Sequence, residues 1–193
     1  MNHAMRGGGA GFASADTQPR FLPDTAFDVV HVKLEVAVDL DRRRLEGWCR
    51  STVRILGERV ETLTFHSAGQ KILEVLVQRG KSDTARTATL AAARAAAWRA
   101  ADGRLTVTLP RPLEAGDEAV VAVRYALDRP TAGLHFIGPD AAYPDWPRQA
   151  WTQGQSDDAR CWFPCRDVPA EKATSEVVAT VAQGLTAIAH GVL

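Results

Sequence analysis

The chain has 193 residues, of which 46% are hydrophobic and 24% charged, and its 23 Lys and Arg residues match its 23 Asp and Glu residues in number. This length suits one ordinary domain, and the composition is typical of a globular protein with a hydrophobic core. The balanced charge gives no support for a nucleic-acid or anionic-membrane partner, and no apolar run reaches the roughly 20 residues that span a bilayer.

Residues 1–26 show no hydrophobic periodicity and are rich in glycine near their start. We predict a flexible N-terminal tail, followed by one domain over residues 27–193. The tail has no apolar core of signal-peptide length, so the cytoplasm is the expected location. The three cysteines, which are odd in number, are expected to be reduced thiols. They are Cys49, Cys161 and Cys165.

A period-two pattern begins at Phe27 and predicts a long strand with one buried face. The expected inward residues of this strand are Val30, Val32, Leu34, Val36 and Val38. The polar run of residues 41–44 predicts a hairpin turn into a second strand. The expected inward residues of the second strand are Leu45, Trp48, Val53 and Ile55.

Further strands are predicted by alternation and by turn signals between the apolar runs. They cover residues 60–67, 71–79, 104–110, 118–127, 174–182 and 185–191. Residues 87–101 are rich in alanine and arginine, which favour a helix by propensity, but strands flank the segment and we predict a strand there. About ten strands with almost no helix predict an all-β fold, a mostly antiparallel β-sandwich or saddle.

No complete catalytic set is visible in the sequence. The five histidines are scattered, and none lies in the helical zinc motif His-Glu-x-x-His. Cys161 and Cys165 would supply only two of the four ligands that a structural zinc ion takes. We interpret His66 as an ordinary histidine at the end of a strand. We therefore predict no metal site and no catalytic residue in this chain.

The region from Gln149 to Gly191 carries a long, irregular motif, T-Q-x-[EQ]-x-x-x-A-R-x-x-F-P-C-x-D-x-P-x-x-K-A. The residues that match it are Thr152, Gln153, Gln155, Ala159, Arg160, Phe163, Pro164, Cys165, Asp167, Pro169, Lys172 and Ala173. In this motif the chain resembles the N-terminal domain of the aminopeptidase N family of zinc metallopeptidases, whose relatives include leukotriene hydrolase. The resemblance covers roughly residues 27–193 and also implies a β-hairpin at residues 87–101.

The resemblance implies that this chain is the N-terminal substrate-cleft domain of an enzyme that hydrolyses N-terminal residues from peptides. Its expected partners are a thermolysin-like catalytic domain and the N-termini of substrate peptides. Zinc is implied for the full-length enzyme, whose metal ligands and catalytic residues lie outside this sequence. The chain alone is therefore expected to be inactive.

The resemblance places Gln155 near the free α-amino group of a peptide substrate, with Gln153 as the neighbouring candidate. The alternative is that both are loop glutamines that bond to their own backbone. Arg160 is expected to pair with Asp157 or Asp167 and to support the loop beneath Gln155. Lys172 is assigned to the same supporting group.

A second hypothesis stays open, in which the chain is a non-catalytic β module that binds or scaffolds a partner. The two hypotheses differ in the surface around Gln155. A domain of a larger enzyme should expose an apolar face where the catalytic domain belongs, whereas an independent module should present a polar face.

Overall fold

The computed structural model describes residues 25–80 and 93–192. Nearly all of the predicted tail and residues 87–92 lie outside the described residues, so the boundary between tail and domain stays a prediction. The strands are β1 (Phe27–Asp39), β2 (Arg44–Ile55), β3 (Arg59–His66), β4 (Lys71–Arg79), β5 (Arg94–Ala95), β6 (Ala97–Ala101), β7 (Arg104–Glu114), β8 (Glu118–Asp128), β9 (Leu134–Ile137), β10 (Gln149–Thr152) and β11 (Thr174–Thr180).

The described residues form three sheets. Six strands form the large sheet in the order β11–β1–β2–β8–β4–β5, three form a second sheet in the order β3–β7–β6, and β9 pairs with β10. Strand β11 runs parallel to β1, and the other pairs are antiparallel. Side chains from the large sheet and from β3 and β7 share one hydrophobic core. The predicted all-β, mostly antiparallel fold is confirmed.

The β1–β2 hairpin forms where the alternation predicts it, but the predicted inward face of β1 is wrong at Val30. The pairing of β1 with β2 shifts between Val29 and His31. This bulge places Phe27 and Val29 in the core before it and Leu34 and Val36 in the core after it. An extra residue in one strand reverses the period-two phase, which a uniform alternation cannot anticipate.

In β2 the prediction of an inward Trp48 is also wrong. The buried residues Leu45, Cys49, Val53 and Ile55 are separated by even numbers of positions and share one face. Trp48 therefore lies on the opposite face of the pleat and stays partly exposed. The small thiol of Cys49, with 1% of its surface exposed, occupies the core beside it.

Gly47 is required by the close approach of β1 to β2. A Cβ atom at this position would lie 2.1 Å from the Glu35 carbonyl oxygen and 2.7 Å from the Cα atom of Val36. Both atoms belong to the backbone of β1, so neither can move aside without shifting the strand. The glycine thus allows the two strands to pack at this point.

Two of the predicted strands have different outcomes. The described part of residues 87–101 contains β5 and β6, so the strand prediction is confirmed there against helix propensity. The strand predicted for residues 185–191 is wrong, since the structure gives these residues no strand pairing among the described elements. A strand needs a neighbour to accept its ladder hydrogen bonds, and the local alternation alone does not supply one.

None of the described segments forms a helix long and apolar enough to cross a membrane.

Candidate functional site

The loop that carries the two candidate glutamines begins directly after β10. Gln153 and Gln155 are both exposed. The backbone N–H of Gln153 donates to the Gly133 carbonyl oxygen at 2.8 Å, and the Asp158 N–H donates to the Gly154 carbonyl oxygen at 3.0 Å. A short 3-10 helix over Ala159–Cys161 follows in the same loop.

Gly133 lets this loop pack closely on the start of β9. Its φ of +74° lies in the left-handed region, and a Cβ atom there would lie 2.4 Å from the Asp158 carbonyl oxygen. Only glycine satisfies both conditions without strain. The loop backbone is thereby held against β9 immediately beside Gln153.

Arg160 and Asp167 join the two ends of the loop. Arg160 Nε donates to Asp167 Oδ2 at 2.9 Å, and Arg160 Nη2 donates to the Asp167 carbonyl oxygen at 3.1 Å. The Arg160 backbone N–H also donates to Asp167 Oδ2 at 3.2 Å. Asp157 adds a weaker ion pair to Arg160 at 3.3 Å. These contacts to Asp167, above all the hydrogen bond from Arg160 to its carboxylate, raise the pKa of Arg160.

The turn between β3 and β4 holds the backbone of Arg160 from the other side. The Ala68 N–H donates to the Arg160 carbonyl oxygen at 2.9 Å, and Gln70 Nε2 donates to the same oxygen at 2.5 Å. Ser67 Oγ in turn donates to Gln70 Oε1 at 2.6 Å. Residue Arg160 is therefore fixed through both its side chain and its peptide group.

His66, the last residue of β3, also bonds to the loop. Its N–H donates to the Cys165 carbonyl oxygen at 2.7 Å, and the Cys165 N–H donates back to the His66 carbonyl oxygen at 3.0 Å. The Asp167 N–H donates to His66 Nδ1 at 3.0 Å. Burial of the ring, reinforced by Arg160 and Arg104, lowers the pKa of His66.

Lys172 does not join this cluster. Its side chain is exposed, and no hydrogen bond or ion pair links it to residues 25–80 or 93–192. Of the residues assigned to loop support, the structure brings together Arg160 and Asp167 and leaves Lys172 apart.

Arg166 and Glu171, which the sequence reasoning missed, bind the start of β1. Arg166 Nη1 donates to the Phe27 carbonyl oxygen at 2.6 Å, while Glu171 Oε1 accepts the Val29 N–H at 2.8 Å. Their side chains pair at 2.8 Å and are only 14% and 10% exposed. The pair satisfies backbone groups on the edge of β1 before β11 begins to pair with it at His31. The sequence signal that could have predicted this pair is the placement of opposite charges, Arg166 and Glu171, on either side of Pro169.

The thiol of Cys49 lies beneath the loop. Its Sγ donates to the Pro164 carbonyl oxygen at 3.3 Å, and burial raises the pKa of Cys49 to about 12. Burial also raises the pKa of Cys165. Both thiols are thus protonated packing groups at neutral pH and cannot act as nucleophiles there.

An apolar groove of about 790 Å³ opens next to the site. It lies between the inner faces of β1 and β11 on one side and β10 with residues 185–190 on the other. Trp151 lines it, stacks on His135 with a ring separation of 4.5 Å, and remains 45% exposed. The groove is an open and mainly apolar surface beside the glutamine loop, and its lining also includes the charged residues Arg148, Asp167 and Glu171.

No three His, Cys, Asp or Glu side chains within the described ranges lie close enough together to hold a metal ion. What the arrangement offers is recognition, because two exposed amide groups on an anchored loop can accept and donate hydrogen bonds.

Comparison with known proteins gives a match over most of the chain. Residues 29–192 match the model of the peptidase M1 N-terminal domain. Aminopeptidase RNPEPL1 from Homo sapiens is 37% identical over 82 residues, which are 42% of this chain and 11% of the relative. Transcription initiation factor TFIID subunit 2 from Danio rerio is 34% identical over 98 residues, which are 48% of this chain and 8% of the relative.

Among solved structures, the M1 zinc metallopeptidase from Deinococcus radiodurans has the same fold. It matches with a TM-score of 0.61 and 22% sequence identity over 81% of this chain and 32% of that structure. The matched segments thus span about a tenth of the length of the two curated relatives and about a third of the solved structure.

Proposed function

The chain belongs to the peptidase M1 N-terminal domain family, and from this we propose that it is the substrate-cleft domain of a zinc aminopeptidase that removes N-terminal residues from peptides. In this proposal the chain binds the peptide, and the hydrolytic groups belong to a separate catalytic domain. The solved relative, an M1 zinc metallopeptidase about three times as long as the matched segment, supports the existence of further chain in the enzyme.

The observation that carries the proposal is the exposed position of Gln155 on an anchored loop. The exposed side chains of Gln153 and Gln155 precede a 3-10 helix. Arg160, in that helix, is bonded to Asp167 and to the β3–β4 turn. Such anchoring reduces the entropy lost when a ligand binds, which suits a recognition group.

The chemistry of the amide fits a peptide N-terminus. The carbonyl oxygen of Gln155 can accept a hydrogen bond from the α-ammonium group of a substrate. A hydrogen bond with one charged partner is stronger than a neutral one, and a carboxylate at the same place would add direct charge attraction. We assign Gln155 to the ammonium group and Gln153 to the neighbouring part of the peptide.

The apolar groove beside the loop offers a contact surface for the expected catalytic domain. The groove has a volume of about 790 Å³ and is lined by residues such as Val36, Val177 and Trp151. Another apolar surface could pack against it. The proposal assigns this contact to the catalytic domain.

The test is the variant Gln155→Ala in the full-length enzyme. Loss of one hydrogen bond to a charged group should lower kcat/KM for peptides about tenfold, which corresponds to roughly 1.5 kcal/mol. Zinc content, measured by atomic emission, should not change. Gln155→Glu should raise kcat/KM above the wild-type value because its carboxylate attracts the ammonium group.

Gln183→Ala provides the matched control, since Gln183 is exposed in a turn outside this loop. It should leave both kcat/KM and zinc content unchanged. Loss of zinc in Gln155→Ala, or kinetics equal to those of the control, would contradict the role assigned to Gln155.

A second candidate function is a non-catalytic binding module, and the similarity to TFIID subunit 2 favours it. That relative is named as a subunit of a transcription initiation factor, and it is 34% identical to this chain over 98 residues. In this case the groove would hold a partner protein. The full-length protein would then hydrolyse no peptide, and Gln155→Ala would have no turnover to change.

A further inference from the structure

His66 contacts the loop with its ring as well as with its backbone. Its Nδ1 accepts the Asp167 N–H at 3.0 Å, next to the paired backbone bonds with Cys165. A ring nitrogen can accept a hydrogen bond only while it carries no proton. This contact therefore requires the neutral imidazole with its proton on Nε2.

The groups that face His66 oppose a positive charge on the ring. Burial has the largest effect, and Arg160 from the 3-10 helix, Arg104 from β7 and Arg166 from the loop act in the same direction. Asp167 opposes them, but its carboxylate is bonded to Arg160. Burial and these charges together lower the pKa of His66, so the ring is neutral near pH 7.

A continuous path of contacts leads from His66 to the glutamine loop. Nδ1 holds the Asp167 peptide group, the Asp167 carboxylate and carbonyl hold the Arg160 side chain, and Arg160 lies in the helical turn that follows Gln155. Each link is a hydrogen bond of 3.1 Å or less.

We propose that His66 is a positioning residue whose unprotonated Nδ1 latches the loop carrying Gln153 and Gln155, and that protonation of the ring releases this loop. A proton on Nδ1 removes the acceptor for the Asp167 N–H and adds a cation beside three arginines. The consequence for peptide binding rests on the proposed function, whereas the latch is a property of this chain alone.

The direction of the pH effect follows from the two states of the loop. With the loop released, the ring is solvated and its pKa returns toward about 6.5. Below that value the released state binds more protons than the latched state, so latching weakens as the pH falls toward the lowered pKa. Between the lowered pKa and about pH 6.5, one linked proton changes the latching equilibrium by up to about tenfold per pH unit. Above about pH 6.5, latching is at full strength.

The experiment measures amide hydrogen exchange of residues 157–168 in this chain from about pH 7.5 to about pH 5, corrected for intrinsic exchange. Wild-type protection of the Asp167 amide should fall by up to about tenfold per pH unit below about pH 6.5. His66→Asn keeps an acceptor oxygen near the place of Nδ1 and does not titrate, so its protection should not follow the pH. His66→Ala should lose protection already near pH 7.

His190→Asn is the matched control, because His190 bonds to Ser175 outside the loop. It should show the wild-type pH response. A wild-type pH response in His66→Asn, or wild-type protection in His66→Ala, would overturn the latch.

If His66→Ala does not fold, the nitrogen-15 shifts of the wild-type ring decide the question. We expect these shifts to show the neutral His66 ring near pH 7 with its proton on Nε2. A proton on Nδ1 at that pH would overturn the proposal. These measurements use no peptide, so their failure leaves the Gln155 test unaffected, and failure of that test leaves the latch standing.

Discussion

Arg160 and Asp167 differ from the surface ion pairs of this protein in their burial. Their side chains are 26% and 11% exposed and share hydrogen bonds through both side chain and backbone. Exposed pairs contribute about 0–1 kcal/mol because solvent screens them and side-chain entropy opposes them. A partly buried carboxylate that loses its partner also keeps its desolvation cost.

We therefore expect Arg160→Met to lower the free energy of unfolding by about 1–3 kcal/mol, measured by urea denaturation. Arg59→Met is the control, since Arg59 and Glu61 pair at 3.2 Å with both side chains about two-thirds exposed. It should change the free energy of unfolding by less than about 0.5 kcal/mol. Equal effects of the two substitutions would show that burial does not strengthen the Arg160 pair.

At the scale of elements, β1 and β2 show where sequence periodicity succeeds and where it fails. Alternation from Phe27 predicts the strand correctly, because a half-buried strand must place apolar residues at every second position. The bulge at Val30 reverses the phase, and its cause is the pairing with β2, which no local pattern reports. Trp48 was predicted to point inward, yet the core at that level contains the thiol of Cys49.

The supporting contacts of the loop show the same limit. The motif suggested that Arg160 would pair with an acid seven residues away or nearer, since the charges are close in sequence. The contacts from His66, Gln70, Arg166 and Glu171 join segments 90 to 142 residues apart, with Gln70 to Arg160 the shortest span and Glu171 to Val29 the longest. Such pairs depend on sheet order and cannot be read from spacing.

Gly47 provides a test of strand packing in this hairpin. A methyl group there would overlap the Glu35 carbonyl oxygen at 2.1 Å, so β1 must shift away from β2. We expect Gly47→Ala to lower the free energy of unfolding by at least about 2 kcal/mol. Urea denaturation followed by circular dichroism would measure it.

Gly138→Ala is the matched control for this substitution. Its nearest contact would be the flexible Arg148 Cγ at 3.5 Å, an ordinary van der Waals distance. The free energy of unfolding should then change by less than about 0.5 kcal/mol. A mild effect at Gly47 would mean that the two strands can separate without loss of core packing.

At the scale of the whole molecule, the three-stranded sheet and the large sheet share one core, but the groove leaves the β1–β11 part of the inner face open. The equal numbers of acidic and basic residues give the molecule no net charge that would keep copies apart. An open apolar face on a neutral molecule favours association through that face. An apolar face is what a domain of a larger enzyme is expected to expose, so this surface favours cover by a catalytic domain. A non-catalytic module would have to bind its partner through the same apolar groove.

Dye binding tests whether the groove is the open apolar surface of this chain. An apolar fluorescent dye such as anilinonaphthalene sulfonate should bind the folded protein, and Ile188→Asp should reduce its fluorescence. Ile188 lines the groove with 93% of its surface exposed, so the charge disturbs the groove without removing core packing. Val192→Asp is the control, because Val192 is equally exposed but does not line the groove. Equal dye binding by the two variants would place the apolar surface elsewhere, and neither a catalytic domain nor a partner protein would then have reason to cover this side of the sheet.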